Sequence, residues 1–357
     1  MRNASASGLW LALAFALGCT DGRPVRDVQP WPELTALFQD DARWVGGDGA
    51  YSCDLGGNRV LWLFGDSLIA KDAARNRDTA WFIRNSAAVQ TGYDPAAAFM
   101  AFYWGEKGGR PSSFIAEQDD RWFWPGACMR VGKGVVIFGQ WLRQQSAGQF
   151  GFGTVGSAAL FVADAGADPL TWQPQDAHLA AVAGDVILGT AGLAVDDFLY
   201  VYGNKGTAHD YVLARFAVAD AQRGDLAHAA FFSNGTWRAV DTLGGSPEAI
   251  FADGAPESSV HFEPHAQAFV MVQSQGFGAT TLALRTAPAP EGPWSEAVSF
   301  CRPPESFEEG AFVYAGKAHP EIAGGGLAVS YVPSRFDDDP RPTPPEYYFP
   351  HFLRVTF

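Results

Sequence analysis

Three acids in this chain sit where short strands begin or end. Asp48 lies in Gly46-Gly47-Asp48-Gly49-Ala50-Tyr51-Ser52, Asp66 in Phe64-Gly65-Asp66-Ser67, and Glu257 in Pro256-Glu257-Ser258-Ser259-Val260-His261. Each has an ordinary reading as a turn or loop acid, because Asp beside Gly commonly bonds its own backbone. Placed on either side of one bond, two carboxylates can hydrolyse a glycoside. One delivers a proton to the leaving oxygen, and the other, ionised, activates water or attacks. A third acid nearby holds one member of the pair protonated through like-charge repulsion. That chemistry requires convergence, so the elements that position these residues decide the matter.

Between residue 40 and the C-terminus there is almost no helical periodicity. Short apolar or alternating runs are separated by Gly, Asp, Asn and Pro, the pattern of strands and turns. Pairs of such runs recur five times: Ala50–Leu55 with Val60–Phe64, Gly126–Val131 with Val135–Phe138, Leu188–Val195 with Phe198–Tyr202, Ser258–Glu263 with Ala268–Gln273, and His319–Ile322 with Leu327–Tyr331. They are spaced by about 50 to 75 residues, with room for two more strands per unit. The expected fold is all-β, a five-bladed β-propeller formed by a single domain over residues 40–357. A large β-sandwich is the competing architecture. Tyr347–Phe357 and the segment near Asp41–Val45 are expected to close the ring as outer strands of one blade.

In a propeller the first strand of a blade starts at one rim of the channel, and the second returns to that rim. Residues just before first strands are Asp48, Trp124, Thr190, Glu257 and His319. Residues just after second strands are Asp66, Gln140, Asn204 with Lys205, Gln275 and Arg335. The catalytic candidates are therefore Asp48, Glu257 and Asp66, with blades one and four facing each other across the channel. Trp122, Phe123, Trp124 and Trp141 suit a sugar, whose C–H faces stack on aromatic rings, although core packing accounts equally well for some of them. Arg84, Asn85, Gln140, Asn204, Lys205, Gln275, His319 and Arg335 complete the expected substrate-binding set. His319 could equally hold a cation in the channel or be a structural histidine. No metal-ligand spacing and no cofactor motif is present.

The chain of 357 residues carries a net charge of −14, with 18% charged and 14% aromatic residues. Few charges and many aromatics exclude a disordered chain or a coiled coil, and the five lysines without any basic run argue against nucleic acid. Residues 1–18 hold a short apolar run ending in Ala16-Leu17-Gly18-Cys19, which is too short to span a bilayer and resembles a bacterial lipoprotein signal. Cys19 is then the lipidated residue and 19–39 a tether, so the protein is exported and touches membrane only through its anchor. Of the remaining Cys53, Cys128 and Cys301, a Cys53–Cys128 bridge and three isolated thiols are both open.

Gly47-Asp48-Gly49-Ala50-Tyr51-Ser52 followed by Leu61-Trp62-Leu63-Phe64-Gly65-Asp66-Ser67 resembles the opening of a family of secreted bacterial propeller proteins that includes endo-D-arabinanases. More distantly it is similar to the five-bladed arabinanase and levansucrase-type glycosidases. Trp122–Gly126, Glu257–Phe262, Ala318-His319-Pro320-Glu321 and Glu291-Gly292-Pro293-Trp294 share that look. The resemblance implies a five-bladed fold and hydrolysis of furanosidic or related linkages by acidic side chains, with an acid at the place of Asp48 catalytic. The expected function is thus a monomeric, lipid-anchored glycoside hydrolase acting on an arabinan-like polysaccharide or oligosaccharide. A non-catalytic glycan-binding propeller and a protein-interaction propeller of the cell envelope are the alternatives.

Overall fold

A computed structural model describes residues 25–276, 279–337, 339 and 341–357. Alternating runs become antiparallel sheets wherever a tight turn lets a strand fold back. The turn Gly56-Gly57-Asn58, with all three residues at positive φ, joins Tyr51–Asp54 to Arg59–Phe64. Ser86–Thr91 and Phe99–Tyr103 extend this first sheet outward. The second sheet is Arg121–Val131, Gly134–Gln144, Phe152–Val162 and Gln175–Asp176. The third holds Val186–Val195, Phe198–Lys205, Asp210–Ala217, Ala229–Ser233 and Thr236–Ala239. The fourth is Ser258–Glu263, Ala268–Gln275, Thr281–Ala287 and Val298–Cys301. In the fifth, Ala311–His319, Leu327–Arg335 and His351–Thr356 are followed by the N-terminal strand Asp27–Pro30.

The first strands of these sheets touch one another in chain order, and that of the fifth returns to that of the first. Each of the five seams between neighbouring sheets holds its own apolar cluster. The seam of sheets one and five, for example, packs Trp62 and Phe64 against Ala328 and Phe352. The molecule is therefore a β-propeller with these sheets as blades, and apolar burial between blades is its main cohesive term. Inner strands approach closely where side chains are missing: a Cβ on Gly126 would lie 2.3 Å from the Gly189 carbonyl oxygen. A cavity of about 630 Å³ runs along the centre, lined from all five inner strands by residues that include Tyr51, Ala127, Leu193, Val260 and Lys317.

Ring closure differs from the expectation at one end. His351–Thr356 does join the fifth blade, but its outer partner is Asp27–Pro30 and not the segment near Asp41–Val45. Trp44–Gly47 instead pairs with Ser67–Ile69 in a small sheet completed by Trp81–Ile83. The stretch expected as a tether thus contains a blade strand and the helix Pro32–Leu37, whose Leu34 is fully buried. Closing the ring in this way joins Asp27–Pro30 and His351–Thr356 in one blade. Cys53 and Cys128 form a disulfide, which joins the inner strands of blades one and two; Cys301 is buried. The signal segment and Cys19 lie outside the described residues. Among the described residues no helix is long and apolar enough to cross a membrane.

Candidate active site

The loops carrying Asp48 and Asp66 are fastened to each other by backbone. Gly65 donates its N–H to the Asp48 carbonyl at 3.0 Å, and Asp48 donates to the Asp66 carbonyl at 3.3 Å. A Cβ on Gly65 would stand 2.6 Å from Asp48 Oδ1, so that position must be glycine for the carboxylate to lie where it does. The Tyr314 hydroxyl donates to Asp48 Oδ2 at 2.8 Å. The Tyr348 hydroxyl lies 3.1 Å from the Asp66 carbonyl oxygen and 3.4 Å from Asp48 Oδ2. Burial, and then the negative charges of Asp66 and Glu257, raise Asp48 well above the usual carboxylate range, against the opposing pull of Tyr314 and Lys317.

Asp66 accepts the Trp124 indole N–H at 3.0 Å and has Arg84 Nη1 3.5 Å from its other oxygen. Burial outweighs both, pushing Asp66 up to about 6. Glu257 stands at the start of the fourth inner strand and pairs with Lys317 of the fifth at 2.6 Å. The Lys317 ammonium is 1% exposed, donates also to the carbonyls of Gly49 and Ala315, and lies 4.4 Å from the centre of the Tyr51 ring. Burial pulls its pKa down while Glu257 pulls it back up. Three carboxylates that influence one another thus gather at one end of the channel, the end where first strands start. Asp48 and Asp66 are both held protonated to higher pH than a free carboxylate, whereas Glu257 is paired closely with a buried ammonium, an asymmetry that acid/base hydrolysis uses.

The other expected residues divide by what their side chains already bond. Trp124 and Arg84 belong to this cluster. The Arg84 guanidinium is stacked 3.9 Å from the Trp122 ring and 4.9 Å from the half-exposed Phe82. Gln140 pairs across the strand from Trp124 and accepts from Thr154 at 2.8 Å. Asn85 is a structural clasp instead of a sugar ligand. Its amide donates to the carbonyls of Ile115 and Phe123, and its oxygen accepts from Ile115 N–H, all in a fully buried setting. Arg335 is bound into a network with Glu308, Asp339 and the Glu309 carbonyl. Lys205 caps the Pro247 carbonyl, Gln275 accepts from Ser299, and Asn204 is buried with its oxygen unbonded.

His319 does not stand at the rim with the acids. The fifth inner strand is Ala311–His319, so this histidine ends the strand, fully buried against Trp62 and Phe352 in the seam of blades one and five, between the hydroxyls of Ser52 at 2.6 Å and Ser330 at 2.8 Å. Burial holds it neutral, its pKa well below the usual value. The shifted strand start also explains what the sequence reading missed: Tyr314 and Lys317 are the fifth blade's contribution to the site. A lone lysine in the apolar run Ala311-Phe312-Val313-Tyr314-Ala315-Gly316-Lys317-Ala318 was the available signal. Tyr348, beyond the second strand, carried none. Among the described residues no group of three or more His, Cys, Asp or Glu side chains is arranged to hold a metal ion.

Residues 32–356 match the family described as Domain of unknown function (DUF5005). The chain belongs to this family. Comparison with curated proteins finds no match for this DUF5005 chain. Among solved structures it is similar to a candidate hydrolase from Bacteroides ovatus ATCC 8483, with a TM-score of 0.73 at 16% identity, covering 99% of this chain and 97% of that one. That likeness shows the fold. A xylan β-1,4-xylosidase from Bacillus halodurans C-125 (TM-score 0.49, 10% identity, 88% of this chain and 54% of that one) is more distant. So is an exo-β-1,3-galactanase from Clostridium thermocellum (TM-score 0.49, 9% identity, 86% and 58%). The DUF5005 chain spans little more than half of each of these two enzymes.

Proposed function

We propose that this protein is a glycoside hydrolase whose acid/base pair is Asp48 and Glu257, with Asp66 as the third acid that tunes Asp48. The observation that carries the reading is the convergence of these carboxylates at one channel mouth, where burial and like charge raise Asp48 above the usual carboxylate range. A carboxyl group that holds its proton to higher pH suits protonation of a leaving alkoxide. The half-exposed Phe82, with Arg84 and the partly buried Trp124 beside Asp66, supplies stacking surface for a sugar ring. The substrate class we favour is a polysaccharide or oligosaccharide with arabinan-like furanosidic linkages, from the resemblance of the Asp48 and Asp66 segments. Export with lipidation at Cys19 would place the enzyme in the cell envelope, in reach of such glycans.

The test is release of reducing ends by the purified mature chain from a panel of furanosidic and pyranosidic polysaccharides. We expect release from at least one arabinan-type substrate, and its loss in Asp48→Asn and Glu257→Gln. Turnover undiminished in either variant, or binding without release across the whole panel over days, overturns the reading in favour of a glycan-binding propeller.

A further inference from the structure

Glu257 and Asp48 come from blades four and one, and between them stands blade five. Its inner strand sends a single cation into the gap. Lys317 is almost entirely buried, and its ammonium donates all three of its hydrogens: to Glu257 Oε2 at 2.6 Å, to the Ala315 carbonyl at 3.0 Å, and to the carbonyl of Gly49, the residue after Asp48. An ammonium has three donors and no acceptor, so this set satisfies it completely. A buried unpaired lysine would be costly, and its burial is tolerated because a carboxylate faces it directly. The same cation therefore touches the backbone that carries one acid and the side chain of the other.

We propose that Lys317 is a positioning residue of the site, fastening the Asp48 loop to Glu257 and fixing which of the two carboxylates carries the proton. Direct pairing with the ammonium makes Glu257 the ionised member, and Asp48 is the proton donor. Among the described residues, the hydrogen bonds to the Asp48 carboxylate come from tyrosine hydroxyls and none from a cation. Burial and the like charges of Asp66 and Glu257 disfavour its ionisation, and they outweigh the Tyr314 and Tyr348 hydroxyls and the more distant charge of Lys317, which favour it. Lys317 itself is faced by Glu257, Asp48, Tyr51 and the neutral His319. In hydrolysis with this division, Asp48 gives its proton to the leaving oxygen as the glycosidic C–O bond breaks. Water gives its hydroxyl to the sugar carbon and its proton to Glu257. Proton exchange with solvent then restores both groups.

This inference rests on the glycosidase reading only for its kinetic arm, so the experiment has a second arm without substrate. In the first, Lys317→Met is expected to lower kcat about 100-fold with KM changed less than about 3-fold, and Lys317→Arg to recover at least about 10-fold of that. The basic limb of the pH profile, set by loss of the Asp48 proton, moves up in Lys317→Met by about 0.5 to 1 pH unit, because a positive charge that favoured ionisation is gone. In the second arm, carboxyl titration of the full chain is followed by 13C NMR. The Asp48 midpoint rises in Lys317→Met and falls in Glu257→Gln, which removes a like charge. Should Lys317→Met fail to fold, Lys317→Gln is titrated in its place, and the same rise of the Asp48 midpoint is expected. Midpoints that do not move, or kcat within about 3-fold of wild type in folded Lys317→Met, overturn the assignment. Moved midpoints with no turnover on any glycan overturn the glycosidase reading alone.

Discussion

The two ends of the central channel are built from the same inner strands and yet are chemically different. At the end where those strands start, Asp48, Asp66 and Glu257 converge and are bonded by Tyr314, Trp124 and Lys317. At the end where they finish stands Glu321, in the turn after the fifth inner strand, near Asp54 and the exposed Phe262. Burial raises Glu321 to about 7, and one of its oxygens has no hydrogen-bond partner. A shifted carboxylate therefore occurs at both ends. What separates them is company: the first end surrounds Asp48 with two further acids and with donors from other blades, whereas Glu321 at the second is governed mainly by its burial, with Ser52 and Asp54 beside it.

The sharpest way to break this comparison is to neutralise one acid at each end. Asp48→Asn should lower the rate of sugar release at least about 1000-fold, while Glu321→Gln stays within about 2-fold of wild type. Comparable losses in both would erase the distinction. Removing the bridge that spans the seam between blades one and two is expected to act on stability at both ends alike. Replacing Cys53 and Cys128 together by Ala should cost about 2–4 kcal/mol by denaturant melts, since the loop closed has a separation of 75 residues.

Glu321 itself should reveal its burial through pH. With its folded pKa raised from 4.5 to about 7, its charge is no burden at pH 4, where folded and unfolded chains both bind the proton. The penalty grows as pH rises between those values and is complete above about 7. Glu321→Gln should thus leave stability nearly unchanged at pH 4 and add on the order of 1–3 kcal/mol at pH 8 in parallel melts. The smallest expected effect is at the first end. Tyr314→Phe removes a hydroxyl that favours ionised Asp48, so the basic limb of the pH–rate profile should move up by a few tenths of a unit, with a rate loss of about 5-fold. A downward shift would contradict the assigned hydrogen bond.

Much of this was legible in residues. Turn residues located the turns of four of the five inner hairpins, because a tight turn must supply positive φ, although the second inner strand starts at Arg121 and not at the expected Gly126, so that Trp124 lies within it. The fifth was misread because Ala311–His319 is buried along almost its whole length and shows no alternation, so its start could not be placed. That single displacement put His319 at the rim and hid Tyr314 and Lys317. Asn85 was misassigned for a related reason. A polar side chain beside a strand looks free until the backbone groups it satisfies, here Ile115 and Phe123, are known.

By itself the sequence determined the strand-and-turn period, four of the five inner hairpins, and the placing of Asp48, Asp66 and Glu257 beside strand ends, all of which depend on neighbours a few residues away. Only the tertiary structure decided which strand closes the ring, that Cys53 meets Cys128, and that Lys317 stands between Glu257 and the Asp48 loop. Those contacts join positions far apart in the chain, as when Tyr314 and Tyr348 reach Asp48 across 266 and 300 residues. The physical reason is ring closure. Apolar burial at the seam of blades one and five brings the first and last blades together, and the charge states of the site follow from the desolvation and pairing that this closure imposes.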